Sequence, residues 1–406
     1  MVTLNSTVWI LCAAAVMAIA APVAGAQAQD PPKPAFPGLG SPKGPVSPDI
    51  RPEALWDGRK MVPFHALDMP RMVRASEADF LDPAEYVLGA TVQGQSRAYP
   101  TRFVWWHHVV NDKITGVGKG DTLFAITYCS VCNTGVRYDL SVGGKPIRLD
   151  FYGLYNGVAV LCDRDTESVF LLAGGKFVTG PLMGKELASA PLLDTTWGAW
   201  RRLHPDTVVM APDGAYSRYY RSRGQAEPRG YDRFPAPFFR PTVTTGDKRL
   251  PPFDKVLGVT VKAGEGQRRR AYPMRALTEA GGAVNDTVGG APIVVFCDPA
   301  TATAYAASRM VNARSLTFEA RKGADGDVTF YDKETGTRWS IEGHGEQGPL
   351  AGKVLDPVDA HLSQWYGWYA TFPETTIYGR TDAPQPGDPF SSPVDSAAPG
   401  PGEKKP

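Results

Sequence analysis

Cys129 and Cys132 close an apolar run, Phe124-Ala125-Ile126-Thr127-Tyr128-Cys129-Ser130-Val131-Cys132. Two thiols at this spacing can meet in one small volume, which suits a disulfide, a two-electron redox couple or a soft metal ion. Upstream, Trp105-Trp106-His107-His108 supplies two imidazoles, each usable as a borderline metal ligand or a proton carrier. Several familiar sites do not fit. A closed zinc ribbon needs a second Cys-x-x-Cys, and a c-type haem needs His directly after the second cysteine, where Asn133 stands. Thioredoxin-type chemistry puts the first cysteine at a helix N-terminus, whereas Asn133-Thr134-Gly135 leads into the strand-like Val136-Arg137-Tyr138.

Three functions follow as expectations. The first is an exported soft-metal site in which Cys129, Cys132 and His107 bind Cu or Zn, with His108, Asn156 and Cys297 as possible neighbours. The second is a thiol enzyme in which Cys129 attacks, Cys132 resolves and His107 carries protons. The third is a binding or scaffold protein whose Cys129–Cys132 pair is a structural disulfide. No nucleotide cofactor is indicated.

The elements that position these residues occur twice. Val87-Leu88-Gly89-Ala90-Thr91-Val92 returns as Val256-Leu257-Gly258-Val259-Thr260-Val261, and Arg97-Ala98-Tyr99-Pro100 as Arg270-Ala271-Tyr272-Pro273. Val110-Asn111-Asp112, Gly180-Pro181-Leu182, Trp197 and Trp200 recur as Val284-Asn285-Asp286, Gly348-Pro349-Leu350, Trp365 and Trp368. The matches keep their order at an offset of about 170 residues, as an internal duplication does. Residues common to both copies serve the fold, and residues kept by one copy are free for chemistry. Aligning the apolar strands by their cysteines puts Cys297 opposite Cys129 and Ala300 opposite Cys132; His107 and His108 fall opposite Gly281 and Gly282.

Residues 1–28 lack charged side chains and carry an apolar run from Val8 to Val23 before small-residue cleavage candidates, as in a secretory signal peptide. Export to a periplasmic or extracellular space is expected, with no stable membrane span after cleavage. Residues 29–52 form a Pro-rich linker, 53–212 the first repeat with the Cys/His site, and 213–250 an aromatic and Arg-rich connector that could meet a protein partner. Residues 251–380 form the degenerate second repeat and 381–406 a disordered tail. Lys plus Arg at 43 against Asp plus Glu at 42 removes the electrostatic case for nucleic acid.

Short β-prone runs around Gln93-Gly94-Gln95 and Gly143-Gly144 read as hairpins. Short helices are expected near Pro70–Phe80, Arg102–Val110, Thr196–Leu203 and Ser363–Ala370. The fold class is α+β and β-rich: two pseudo-symmetric copies of a mainly antiparallel β unit with short helices.

The segments Val87-Leu88-Gly89, Arg97-Ala98-Tyr99-Pro100, Trp106-His107, Thr127-Tyr128-Cys129-x-x-Cys132, Leu154-Tyr155-Asn156 and Asp163-Arg164-x-Thr166-Glu167-Ser168 together resemble domain-of-unknown-function family 3179, a family of secreted prokaryotic proteins. The resemblance runs from about Asp57 to Gly379 and brings no established activity. Ser130, Asn133 and His108 stand where that family usually has Pro, Gly and an acidic residue.

Overall fold

Tyr86–Val92 turns through Gln93 and Gly94, both at positive φ (49° and 78°), and returns as Gln95–Pro100 with Val92 opposite Gln95. A two-residue turn of this kind matches the right-handed twist of the strands it joins. Lys255–Ala263 and Gly266–Pro273 pair in the equivalent register, with Leu257 opposite Tyr272 as Leu88 is opposite Tyr99.

The computed structural model describes residues 47–48, 50–51, 54–59, 65–116, 120–217, 220, 243, 245–323 and 327–387. The signal-peptide segment, most of the Pro-rich linker, residues 221–242 of the connector and the tail from 388 lie outside the described residues.

Among the described residues the strands gather into six sheets arranged as a six-bladed β-propeller, with two small hairpins besides. The first blade contains Met72–Arg74, Tyr86–Val92, Gln95–Pro100, Leu193–Thr196 and Val208–Met210. The second contains Leu67–Asp68, Val109–Gly116, Gly120–Cys129, Thr134–Asp139 and Ser189–Ala190, and the third Leu55–Asp57, Leu149–Tyr155, Val158–Asp163 and Val169–Leu171. The fourth is built from Lys255–Ala263, Gly266–Pro273, Asp359–Gln364 and Thr376–Ile377. Ala283–Val288, Ala291–Asp298 and Thr303–Ser308 form the fifth; Phe318–Lys322, Val328–Asp332, Arg338–Trp339 and Gly345–Gln347 form the sixth. The β-rich expectation is met, but the two-unit arrangement is corrected: the blade is the repeating element. A sheet of three to five strands must cover both faces, and radial packing against neighbouring blades does so.

The helices are short. Thr101–His107, Trp197–Leu203, Met274–Glu279 and Trp365–Thr371 each follow a blade strand. The expected helix at Pro70–Phe80 is corrected to an edge strand, Met72–Arg74, and one 3-10 turn, Ala75–Glu77. Pairing of Met72–Arg74 with Val208–Met210 outweighs the weak local helix preference. Among the described residues no helix is long and apolar enough to cross a membrane.

Residues common to both halves hold the blades together. Asp112 Oδ2 accepts from Arg97 Nη1 and Tyr99 OH, both at 2.6 Å, and Asp286 repeats this with Arg270 at 2.6 Å and Tyr272 at 2.7 Å. The Asn111 side chain bridges to the backbone of Leu149, and Asn285 likewise to that of Phe318. Trp200 and Trp368 donate from Nε1 to Thr207 and Thr375.

The halves also exchange their closing elements. Trp197 and Trp200 share a core with Val294, Phe296, Phe318, Phe330 and Trp339 of the fifth and sixth blades. Reciprocally, Tyr366 and Ala370 share a core with Cys129, Cys132, Leu149 and Phe170 of the second and third.

Gly89 and Gly258 admit the two tryptophan rings: a Cβ there would lie 2.2 Å from Trp200 Cε3 and 2.1 Å from Trp368 Cε3. Gly89→Ala or Gly258→Ala should each cost about 1–3 kcal/mol by overpacking. Gly266→Ala, where a Cβ would lie 3.8 Å from Arg268 Nη1, should cost far less. Urea unfolding of the three variants measures the difference.

Candidate functional site

One turn recurs between blade strands, with an acidic residue at its first position and a hydroxyl at its fourth and sixth. In the third blade Asp163 Oδ2 accepts from Thr166 N (2.9 Å) and Thr166 Oγ1 (2.7 Å), and Thr166 Oγ1 meets Ser168 Oγ at 2.7 Å. The sixth blade repeats it: Asp332 accepts from Thr335 N (2.6 Å) and Oγ1 (2.9 Å), and Thr335 meets Thr337 at 2.7 Å. In the fifth, Asp298 accepts from Ala300 N (3.0 Å) and Thr301 Oγ1 (2.7 Å), with Thr301 and Thr303 hydroxyls 2.8 Å apart. The fifth position is left-handed each time, at Glu167 (φ 53°), Gly336 (70°) and Ala302 (50°). Such Asx turns satisfy backbone donors that the reversal strips of ladder partners.

The second blade builds the same turn from Cys129-Ser130-Val131-Cys132-Asn133-Thr134. Cys129 pairs across it with Thr134 as Asp298 pairs with Thr303, and Asn133 takes the left-handed position at φ 55°. Cys129 therefore occupies the acidic position and Cys132 the hydroxyl position. This corrects the cysteine-based alignment by one residue. Cys297 stands opposite Tyr128: their backbone N–H groups donate to the equivalent carbonyls of Gly282 (2.7 Å) and His108 (2.8 Å). A one-residue slip moves a side chain to the other sheet face, and Cys297 lies in a different core, with Leu257, Tyr272 and Leu362.

Both site cysteines are fully buried free thiols. Cys129 Sγ accepts from Cys132 N at 3.2 Å and from Ala159 N at 3.4 Å. Burial opposes ionisation of Cys129. Hydrogen bonds from the Cys132 thiol and from the N–H groups of Ala159, Cys132 and Val131 outweigh it and hold the Cys129 pKa below the ordinary thiol value. Cys132 is pushed well above that value by burial and by the charge its neighbour takes on.

The second half completes this site. Cys132 Sγ lies 3.2 Å from Thr134 Oγ1, which donates to Ser363 Oγ at 2.8 Å; Ser363 donates to Gln364 O at 3.0 Å. The fifth blade has the matching link, Thr303 Oγ1 to Thr195 Oγ1 at 2.7 Å. With both hydroxyl protons committed onward, the Cys132 proton can point to Thr134 or to Cys129. Gly367 gives Cys132 its space, since a Cβ there would sit 2.6 Å from Cys132 Cβ. Tyr366 closes the other side with its OH 3.4 Å from Gly157 O.

His107 belongs to a different environment. It ends helix Thr101–His107, fully buried, with Nδ1 2.8 Å from His65 O and Nε2 2.9 Å from Tyr220 OH. Tyr216 packs edge-on against its ring. These connector tyrosines are thus used internally, Tyr220 being buried. No three His, Cys, Asp or Glu side chains among the described residues group closely enough to hold a metal. The structure joins Cys129 and Cys132 and places the His107 imidazole with Tyr216 and Tyr220.

His108 caps the same helix at φ 58°, stacks on Phe151 (4.4 Å) and approaches Tyr128 O at 3.2 Å. Asn156, also left-handed, donates to Ala370 O at 3.2 Å and accepts from Thr245 N at 3.0 Å, tying the third blade to helix Trp365–Thr371 and to the connector. Ser363, Tyr366 and Gly367 were not anticipated. Their signal was available in the repeats: Tyr366 and Gly367 replace Gly198 and Ala199 between equivalent tryptophans.

Fold and site define a six-bladed β-propeller with one buried dithiol turn. The chain belongs to the family described as protein of unknown function (DUF3179), which matches residues 62–375. No curated protein and no solved structure gives a significant match to it.

Burial lowers the His108 pKa from 6.5 to about 4, and moves His107 the same way. Between these two pH values the unfolded chain binds a proton that folded His108 refuses, so stability falls as pH drops from 6.5 toward 4. His108→Asn, which tolerates the left-handed backbone, should lower overall stability yet flatten that pH slope. Urea midpoints across the window test it.

Proposed function

We propose that Cys129 and Cys132 form a dithiol–disulfide couple in an exported protein. The observation that carries this reading is the replacement of Asp and Thr by two thiols in one of four equivalent turns. Asp163, Asp298 and Asp332 accept backbone N–H bonds at the position of Cys129. Such donors favour an anionic acceptor, here a thiolate. The turn gains no obvious structural advantage from the exchange, because sulfur is the weaker hydrogen-bonding element.

Cys129 thiolate attacks one sulfur of a disulfide R–S–S–R′, forming Cys129–S–S–R and releasing R′S⁻. Cys132 gives up its proton, which neutralises R′S⁻, and its sulfur attacks Cys129 Sγ. RS⁻ leaves and takes a proton from solvent when its pKa requires. The protein dithiol loses two electrons and the disulfide gains them. His107 has no part in this scheme; the high-pKa Cys132 thiol first supports the Cys129 thiolate and then supplies the transferred proton.

Anaerobically prepared protein, equilibrated in graded dithiol–disulfide buffers and quenched with acid, should show one transition in the Cys129–Cys132 peptide with a slope of about 30 mV per tenfold change. Cys132→Ser should abolish it. A pair that stays reduced in every oxidising buffer would overturn the reading. Cys129 should alkylate with an apparent pKa below 9.0, and Cys132→Ala should raise it by removing the thiol donor.

The exchange Cys129→Asp with Cys132→Thr supplies a second test. It restores the composition of the other three turns, so the fold should keep its stability within about 1 kcal/mol while the redox transition disappears. A large loss in thermal unfolding would instead favour a structural role for the cysteines.

A further inference from the structure

A cleft of about 430 Å³, bounded by Tyr155, Asn156, Leu171, Val178, Ala370 and Phe372 among others, shares Asn156 and Ala370 with the surroundings of the dithiol. Its volume lies in the range of small-molecule sites and is far too small for a folded partner. Two of its lining residues reach the thiol environment. Ala370 shares the core that contains Cys129 and Cys132, one helical turn after Tyr366. Asn156 precedes Gly157, whose carbonyl faces the Tyr366 hydroxyl, and Ala159, whose N–H reaches Cys129 Sγ. The partition between cleft and thiols therefore consists of the Asn156-Gly157 turn, Ala370 and the Tyr366 ring.

Asn156 fastens that partition. Its side-chain amide joins three separate chain segments through Ala370 O and Thr245 N while its own N–H donates to Ala54 O at 3.1 Å. The cleft lining is mixed: Tyr155, Leu171, Val178, Ala370 and Phe372 lie alongside the charged Arg51, Lys176, Glu186, Arg269 and Glu374. Its Arg269 lies over the Phe372 ring at 4.2 Å and is paired with Glu374 at 2.5 Å, so that cation is already balanced.

We infer that this cleft is the entry route by which a low-molecular-weight disulfide reaches Cys129, and that the Asn156 side chain is the latch that opens it. The inference rests on the dithiol reading for the identity of the substrate, but the route has its own readout. The Asn156 bonds to Ala370 O and Thr245 N hold the turn that leads to Gly157 and to Ala159, whose N–H meets the enclosed Cys129 sulfur. The size of the cleft selects against protein disulfides.

Iodoacetamide is a suitable probe: Cys129 thiolate forms a sulfur–carbon bond and iodide leaves. Asn156→Gly keeps the left-handed backbone and removes both latch bonds, so alkylation of Cys129 in the full chain should accelerate about tenfold. Buried Cys162 and Cys297 serve as internal controls and should keep their rates. Thr371→Phe, which fills the cleft without touching the cysteines, should slow Cys129 alkylation and its reaction with 2-hydroxyethyl disulfide. A thiol reagent carrying a long polyethylene glycol chain should remain slow in every variant. Parallel acceleration of all three cysteines in Asn156→Gly would overturn the latch, since general loosening explains it. An unchanged rate in a folded Thr371→Phe variant would overturn the route. If either result accompanies a normal two-electron titration, only the route fails. If the rates behave as expected but no titration occurs, the dithiol function fails and the cleft remains an access path.

Discussion

Each half of the propeller closes on the other, and the thiol site exists because of that exchange. Leu193–Thr196 pairs with the first blade while its Thr195 meets Thr303 of the fifth. Asp359–Gln364 pairs with the fourth while its Ser363 meets Thr134 of the second. The helices that follow drive tryptophans and tyrosines into the facing cores. Single blades have two apolar faces and little area, so none has a stable isolated form; the reciprocal helices supply the missing cover. Cutting the chain between the halves would remove Ser363, Tyr366 and Gly367 from around Cys132 at one stroke.

The four equivalent turns show how one backbone geometry accommodates either an Asp and a Thr or two thiols. An acidic side chain, a hydroxyl and a left-handed residue already provide inward-pointing N–H donors and a chain of hydroxyls. Replacing Asp by Cys leaves those donors aimed at sulfur, and replacing Thr by Cys brings a second sulfur beside the first. The pKa separation follows from this inherited geometry: the amides and the neighbouring thiol favour charge on Cys129, and that charge disfavours ionisation of Cys132. No helix dipole and no imidazole is required.

Much of the scaffold was legible in the sequence because both halves must solve the same packing problem. The Trp-x-x-Trp pairs, the Val-Asn-Asp segments and the Arg-x-Tyr-Pro strands mark tryptophan pockets, inter-blade amide bridges and buried Arg–Asp–Tyr clusters. The six-blade arrangement was less legible, since the two halves repeat at long range while individual blades share little beyond Asp-x-x-Thr-x-Ser/Thr turns. That short signal was present three times, at Asp163, Asp298 and Asp332. Comparing it with Cys129-x-x-Cys132-x-Thr134 would have fixed the register that matching Cys297 to Cys129 missed. His107 was unreadable for another reason: its partners are a hydroxyl at Tyr220 and a carbonyl at His65, both remote in sequence.

Burial and reactivity pull in opposite directions at this site, and the fold separates them. Desolvation alone would keep both thiols protonated and inert. Donors fixed by the turn reverse that effect at Cys129 without exposing it, because they were oriented when the strand reversed and need no rearrangement as charge develops. A solvent-exposed dithiol would react with every available oxidant. An enclosed one reacts only with what the surrounding wall admits, so chemical selectivity passes from the sulfurs to the wall. That wall is drawn from the third blade, the connector and the helix of the second half, so residues remote in sequence enclose the two sulfurs.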